Sequence, residues 1–311
     1  MNPMPAVALA ALLAVGPAWS AVPDAAYSTE LAQWREKADK SLTRERGWLS
    51  IVSRDELAPG SYTIGSAPDN KIVLPKGLAP AHLGVVIAGN DKARLELAKG
   101  QTMRTVAKDD EGQTFTQRDL VTGATRLEWV TSGRLSLQFV KREDGKIVVR
   151  AADRESPRRT TFAGRQWYEP QAEYKVPAKF TPKPDGATIP IANVRGEISY
   201  EKVAGTLEFT VNGQKMSFDA LDDEGDLFII FRDRTSNTTT YPPGRFLAVQ
   251  KPQAGGTWVV DFNKAYNPPC AFSAFTTCPL PPPQNWLQGD VAAGEKYIGR
   301  ASAKGGRAGG G

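Results

Sequence analysis

From Trp48 onward the apolar residues of this chain fall into short runs with a hydrophobic side chain at every second position, each run bounded by Gly, Pro, Asn or Asp. A period of two puts alternate side chains on opposite faces of an extended strand, so the pattern selects antiparallel sheets and excludes a helical bundle. The runs "WLSIVS", "SYTIG", "KIVLP", "LGVVIAG" and "ARLELA" follow one another in this way. Two dipeptides fix local topology. In "GTLEFTVNGQKMSFDAL", Asn212-Gly213 supplies the two positive φ angles of a type I′ turn between Leu207/Phe209/Val211 and Met216/Phe218/Ala220, which predicts a tight hairpin. In "GRLSLQFVKREDGKIVVRAA", Asp144-Gly145 predicts a second hairpin of the same turn type. The runs "DLFIIFRD" and "TWVVDFN" are nearly continuous in apolar residues and read as strands covered on both faces. The predicted fold class is all-β, as antiparallel sandwich or barrel-like units.

One helix precedes them. "YSTELAQWREKADKSL" spaces Leu31, Trp34, Ala38 and Leu42 along one face, with an N-cap expected near Ser28. Residues 1–21, "MNPMPAVALAALLAVGPAWSA", hold an apolar run too short to span a bilayer, followed by small residues, and read as a secretory signal, although no Lys or Arg precedes Arg35. The period-two pattern lapses in "DRESPRRTTFAGRQWYEPQ". The expected division is therefore a signal at 1–21, the helix with a first β unit at 22–152, a second β unit at 153–300 and a flexible glycine-rich tail at 301–311. That reading makes the protein periplasmic or secreted, with no transmembrane segment.

In an oxidising compartment the two cysteines of the chain, Cys270 and Cys278, are expected to pair. Neither is flanked by a positive charge that would activate a thiolate. His82 is the single histidine, which argues against a Ser-His-Asp triad and against the usual His/Cys zinc site. The acidic run "DALDDEGD" lacks the spacing of a calcium loop and reads as a solvated turn. No cofactor and no metal is expected. The net charge of +5 is spread along the chain rather than gathered into a run, which favours anionic small partners over nucleic acid.

"GWLSI" at 47, "IGSAPDNKIVLP" at 64, "YPPGRFL" at 241, "DFNKAYNPPCAF" at 261, "CPLPPPQN" at 278 and "AGEK" at 293 together resemble the bacterial family called domain of unknown function 1684. The resemblance implies kinship without a chemistry. The family's "D-x-R…R-F-G" element stands here in altered form, as Asp153-Arg154 and then Phe162-Ala163-Gly164-Arg165. Separately, residues 48–97 resemble the opening of a forkhead-associated sandwich. The arginine and serine that bind phosphate there are replaced by Gly65-Ser66 and Ala79-Pro80-Ala81-His82, so this likeness implies a sandwich and not phosphopeptide binding.

The candidate site follows from residue 261. The segment 261–285 contains six prolines and three asparagines, a composition for a rigid, irregular wall beside the strand "TWVVDFN". Its aromatics Phe262, Tyr266 and Phe272 either line a pocket or pack as core. Arg154, Arg165 and Arg245, with Asp261, Asn263, Asn267, Asn285 and Glu295, are the expected ligand-binding residues, because a guanidinium fork matches a carboxylate or phosphate. The same arginines could instead pair with Asp153, Asp233, Asp261 or Glu295 and tie loops together. Three functions stay open: binding of a small anionic ligand, a histidine-independent enzyme with Asp261 or Glu295 as general base, and a structural cell-envelope protein with an apolar patch.

Overall fold

The computed structural model describes residues 24–299, apart from 90–91, 107–111, 122–127, 143 and 298. The signal-like segment and the glycine-rich tail lie outside the described residues. Helix α1 (Ala25–Leu42) comes first. Its N-cap is Asp24, whose carboxylate accepts the Tyr27 amide at 2.8 Å, and not the expected Ser28. The Ser28 hydroxyl lies one turn in and donates back to the Asp24 carbonyl.

Strands follow in order: β1 (Ile51–Leu57), β2 (Gly60–Gly65), β3 (Ile72–Val73), β4 (Gly84–Ala88), β5 (Lys92–Leu97), β6 (Met103–Val106), β7 (Thr114–Phe115), β8 (Gln117–Val121), β9 (Trp129–Ser132), β10 (Leu135–Lys141) and β11 (Ile147–Asp153). Trp48–Ser50, expected as strand, forms a 3-10 turn, and extension begins at Ile51. The strands assemble into two sheets, ordered β1-β11-β10-β9-β6-β7 and β3-β2-β4-β5-β8. One apolar cluster, including Ile64, Val86, Leu95, Leu137, Phe139 and Val149, lies between them, so residues 48–97 do belong to a sandwich. The β10–β11 hairpin forms where expected but with a different turn. Of Asp144-Gly145 only the glycine is left-handed, at φ 78°, and the Gly145 amide donates to the Arg142 carbonyl, which widens the loop beyond two residues.

After the short helix α2 (Pro157–Thr160) come β12 (Lys175–Pro182), β13 (Thr188–Ala192), β14 (Ile198–Val211), β15 (Gln214–Asp223), β16 (Asp226–Phe231), β17 (Arg245–Val249) and β18 (Trp258–Asp261). They form a sheet ordered β17-β16-β15-β14-β12-β18, whose end strands return into contact and nearly close a barrel. Phe209, Phe218, Phe231 and Phe262 stack at its centre, with ring centroids 5.0 to 6.0 Å apart. The Asn212-Gly213 turn is type I′ as expected, with φ of 49° and 74° and Val211 opposite Gln214. Strand β14 is long enough to serve twice: its first half pairs with β13 and its second with β12. It bends at a bulge beside Gly205, where a Cβ would stand 2.5 Å from the Phe180 ring. The fold class is all-β, with one N-terminal helix.

Helix α1 precedes the sandwich in sequence and was grouped with it above, yet its side chains bind the C-terminal unit. Tyr27 reaches Asp261, Trp34 packs against Trp167 and Tyr266, and Asp39 faces Arg165.

Candidate functional site

Three-dimensional placement separates the eight expected ligand-binding residues into three groups. Arg154 is half exposed, and its guanidinium meets only Glu155, at 3.8 Å. Arg245, on β17, is fully buried. It pairs with Asp233 at 2.8 Å, donates to the carbonyls of Val291 and Ala293, and lies over the Phe231 ring. Its charge is thus neutralised in place, and only Nε, itself buried, is left without an acceptor. Arg165 is likewise buried, bonded to Glu295 at 2.6 Å, 3.5 Å from Asp39, and set over the rings of Phe272 and Tyr266. The alternative in which arginines tie loops together is the one the geometry shows for Arg165 and Arg245. Both hold the same stretch, residues 291–295, from two sides.

The asparagines act as backbone brackets. Asn263 exchanges two hydrogen bonds with the main chain of Gln171, and Asn285 does the same with Asp219 and adds one to the Ile230 carbonyl. Both side chains therefore replace ladder bonds that the irregular, proline-rich chain lacks. Asn267 donates its amide N–H to Glu295 at 2.7 Å and its side chain to the Lys296 carbonyl. Asp261 accepts the Tyr27 hydroxyl on both oxygens at 2.8 Å. Burial raises its pKa, against the Tyr27 hydrogen bond and the Lys264 charge. Burial also pushes the Glu295 carboxyl up to about 7, against the pull of Arg165 and Asn267. Both carboxylates are buried, at 8% and 1% exposure, and face these partners.

A hollow does exist, one layer away. Cys270 and Cys278 are joined by a disulfide, and the loop they close is pinned to β13: the Val194 amide donates to the Cys278 carbonyl and the Leu280 amide to that of Ala192. Between this loop, the β13–β14 ribbon and the outer face of β15–β17 lies a groove of about 620 Å³. Its floor is apolar, from Ile191, Leu221, Phe228, Ile230 and Tyr266. Of the three aromatics left open between pocket and core, Tyr266 lines it; Phe262 is core, and Phe272 packs on Phe162 and Arg165. The rim carries Glu201, Asp222 and Asp223 against Lys202 alone, and Lys202 is already held by Asp222 at 2.8 Å. Asp223 has no cationic partner among the described residues. Thr277, at the disulfide end, has its hydroxyl buried without a hydrogen-bond partner. Burial, opposed by Arg165 and reinforced by the Asp223 charge, raises the pKa of the Tyr266 phenol.

The groove residues were missed in the sequence because they come from five strands and the irregular segment after β18. Their one local signal was "DALDDEGD", read as a solvated turn, and it does form the β15–β16 hairpin end, with Glu224 and Gly225 left-handed. Among the described residues no cluster of His, Cys, Asp and Glu is close enough to hold a metal ion.

The groove lies within residues 160–296, which match the family model described as "Protein of unknown function (DUF1684)". The chain belongs to this family. The match leaves out Arg154 and the stretches at 47 and 64 on which the sequence resemblance also drew. Among solved structures, an uncharacterised protein of Haloarcula marismortui, determined by solution NMR, is 30% identical over 44% of this chain and 78% of its own, with a TM-score of 0.37. A search of curated proteins finds no match. Among the described residues no helix is long and apolar enough to cross a membrane.

Proposed function

We propose that this is an exported binding protein whose DUF1684 unit takes a small, partly apolar cation in the groove behind the disulfide loop. The observation that carries the reading is the pairing of an aromatic and aliphatic floor with a rim of three carboxylates against one lysine, around a buried hydroxyl that lacks a partner. Apolar walls with a few convergent polar groups are the general character of small-molecule sites. An ammonium group at the rim would meet Asp223, and an acceptor on the ligand would satisfy Thr277. The disulfide supports export, since such bonds persist in oxidising compartments. The anion-through-arginine reading is not supported here, because Arg165 and Arg245 are neutralised in place and Arg154 stands apart.

Thermal-shift titration with benzylamine and with benzoate tests the charge preference. Benzylamine is expected to raise the melting temperature and benzoate to leave it unchanged. Asp223→Asn is expected to weaken benzylamine by about fivefold, the value of a rim charge worth about 1 kcal/mol. Equal binding of benzoate, or no response to either compound, would sink the assignment.

A further inference from the structure

A second charged feature sits on the outer face of the N-terminal sandwich and has no place in the groove. Strand pairing sets Arg54 on β1 directly opposite Arg150 on β11, with Gln138 and then Trp129 continuing the row across β10 and β9. Like charges directly opposite across a ladder repel, so this row is held against a cost. Arg54 is answered by Glu56 at 2.7 Å. The same Glu56 oxygen also serves Arg195 at 3.0 Å and Arg142 at 3.6 Å, while Arg142 is shared with Glu197 and Asp144. Among the described residues four guanidiniums therefore stand against three carboxylates, and the one left over is Arg150. Among the described residues Arg150 meets no carboxylate. Its one hydrogen bond is a long contact of 3.4 Å to the Gln138 side chain, and its Nε is buried with no acceptor. Its guanidinium lies over the Trp48 ring, 5.4 Å from the centroid, which limits where the fork can turn. Burial, and then the Arg54 charge, lower the Arg150 pKa.

A guanidinium partly withdrawn from water, with a buried Nε and no anion beside it, is costly, and the usual resolution is a paired oxyanion. We infer that Arg150 and Arg54, with Gln138 and Trp48 as walls, form a binding site for a small oxyanion, a phosphate or a carboxylate. The planar fork of Arg150 would take two oxygens side by side, Arg54 would add charge from across the ladder, and the Gln138 amide would add a neutral donor. Expected in the sequence at Arg154, Arg165 and Arg245, anion recognition thus falls to arginines of the other β unit.

Isothermal titration of the full chain at low ionic strength, with inorganic phosphate in one arm and citrate in the other, tests the site. Saturable binding of at least one anion is expected, weakened tenfold or more by Arg150→Met and also by Arg150→Lys, which keeps the charge and loses the fork. Arg150→Met should keep or raise the melting temperature, because it removes a buried like charge, and should leave the benzylamine response of the groove unchanged. No saturable binding of either anion, binding that survives Arg150→Met, or a lowered melting temperature in that variant would each overturn the inference.

Discussion

Glu295 shows how a single side chain here is governed by partners far away in sequence. It is 1% exposed, and its carboxylate is bonded by Arg165, 130 positions earlier, and by the Asn267 amide. In the unfolded chain it ionises near 4.5, and in the fold only near 7. Between those values unfolding releases a proton, so raising the pH favours the unfolded state. Stability from this group is therefore greatest below about pH 4.5 and falls as pH rises toward 7, by about 1 kcal/mol per unit. Denaturant unfolding across that range should show the decline in the native chain and a flatter profile in Glu295→Gln; the same slope in both would refute it. The sequence set Glu295 among four carboxylates that Arg165 could meet, but did not say which of them it would be. Pairing over such a distance depends on where the sheets bring the loops, and no local pattern encodes it.

Local conformation is legible where one or two residues decide it. The Asn212-Gly213 hairpin was readable because a type I′ turn needs two positive φ angles and these residues supply them at low cost. Asp144-Gly145 misled because the wider loop needs only one. Gly213→Val should accordingly destabilise the C-terminal unit by about 1 to 2 kcal/mol, since a β-branched residue at φ 74° is strained even though no atom crowds the position. Gly145→Val tests the same strain at φ 78°. Chemical denaturation of the two variants would measure both, and an unchanged midpoint for Gly213→Val would contradict the turn assignment. The groove has no such local key. It is the space left between a ribbon, a barrel wall and a stapled loop, and among its floor residues only Tyr266 stood in the segment expected to form a binding wall.

Across the molecule, the alternation of apolar residues announced two β units, and two main core clusters are found, over residues 57–151 and 174–293. The helix was the piece that alternation could not place, because an amphipathic face does not say which surface it covers. Its anchor is Tyr27, 6% exposed, whose hydroxyl donates to Asp261 across 234 positions of sequence. Tyr27→Phe removes that donor from a carboxylate only 8% exposed and should cost about 1.5 to 3 kcal/mol, read as a lower denaturant midpoint. It should also speed proteolytic nicking between residues 25 and 42. A midpoint equal to that of the native chain would show that the helix is held by its other contacts, those of Trp34 and Asp39 among them.

That long span has a consequence for synthesis. Translation proceeds from the amino end, so the helix emerges from the ribosome before the surface it covers has been made. Its isolated 18 residues are near the length at which a lone helix is marginal in water. The sandwich can close behind it, but Tyr27 and Trp34 wait for Asp261 and Tyr266 to be polymerised before they are sheltered. The aromatic side chains at the leading end of the nascent polypeptide are thus the last to be withdrawn from solvent, and a chaperone following this chain would find its target there.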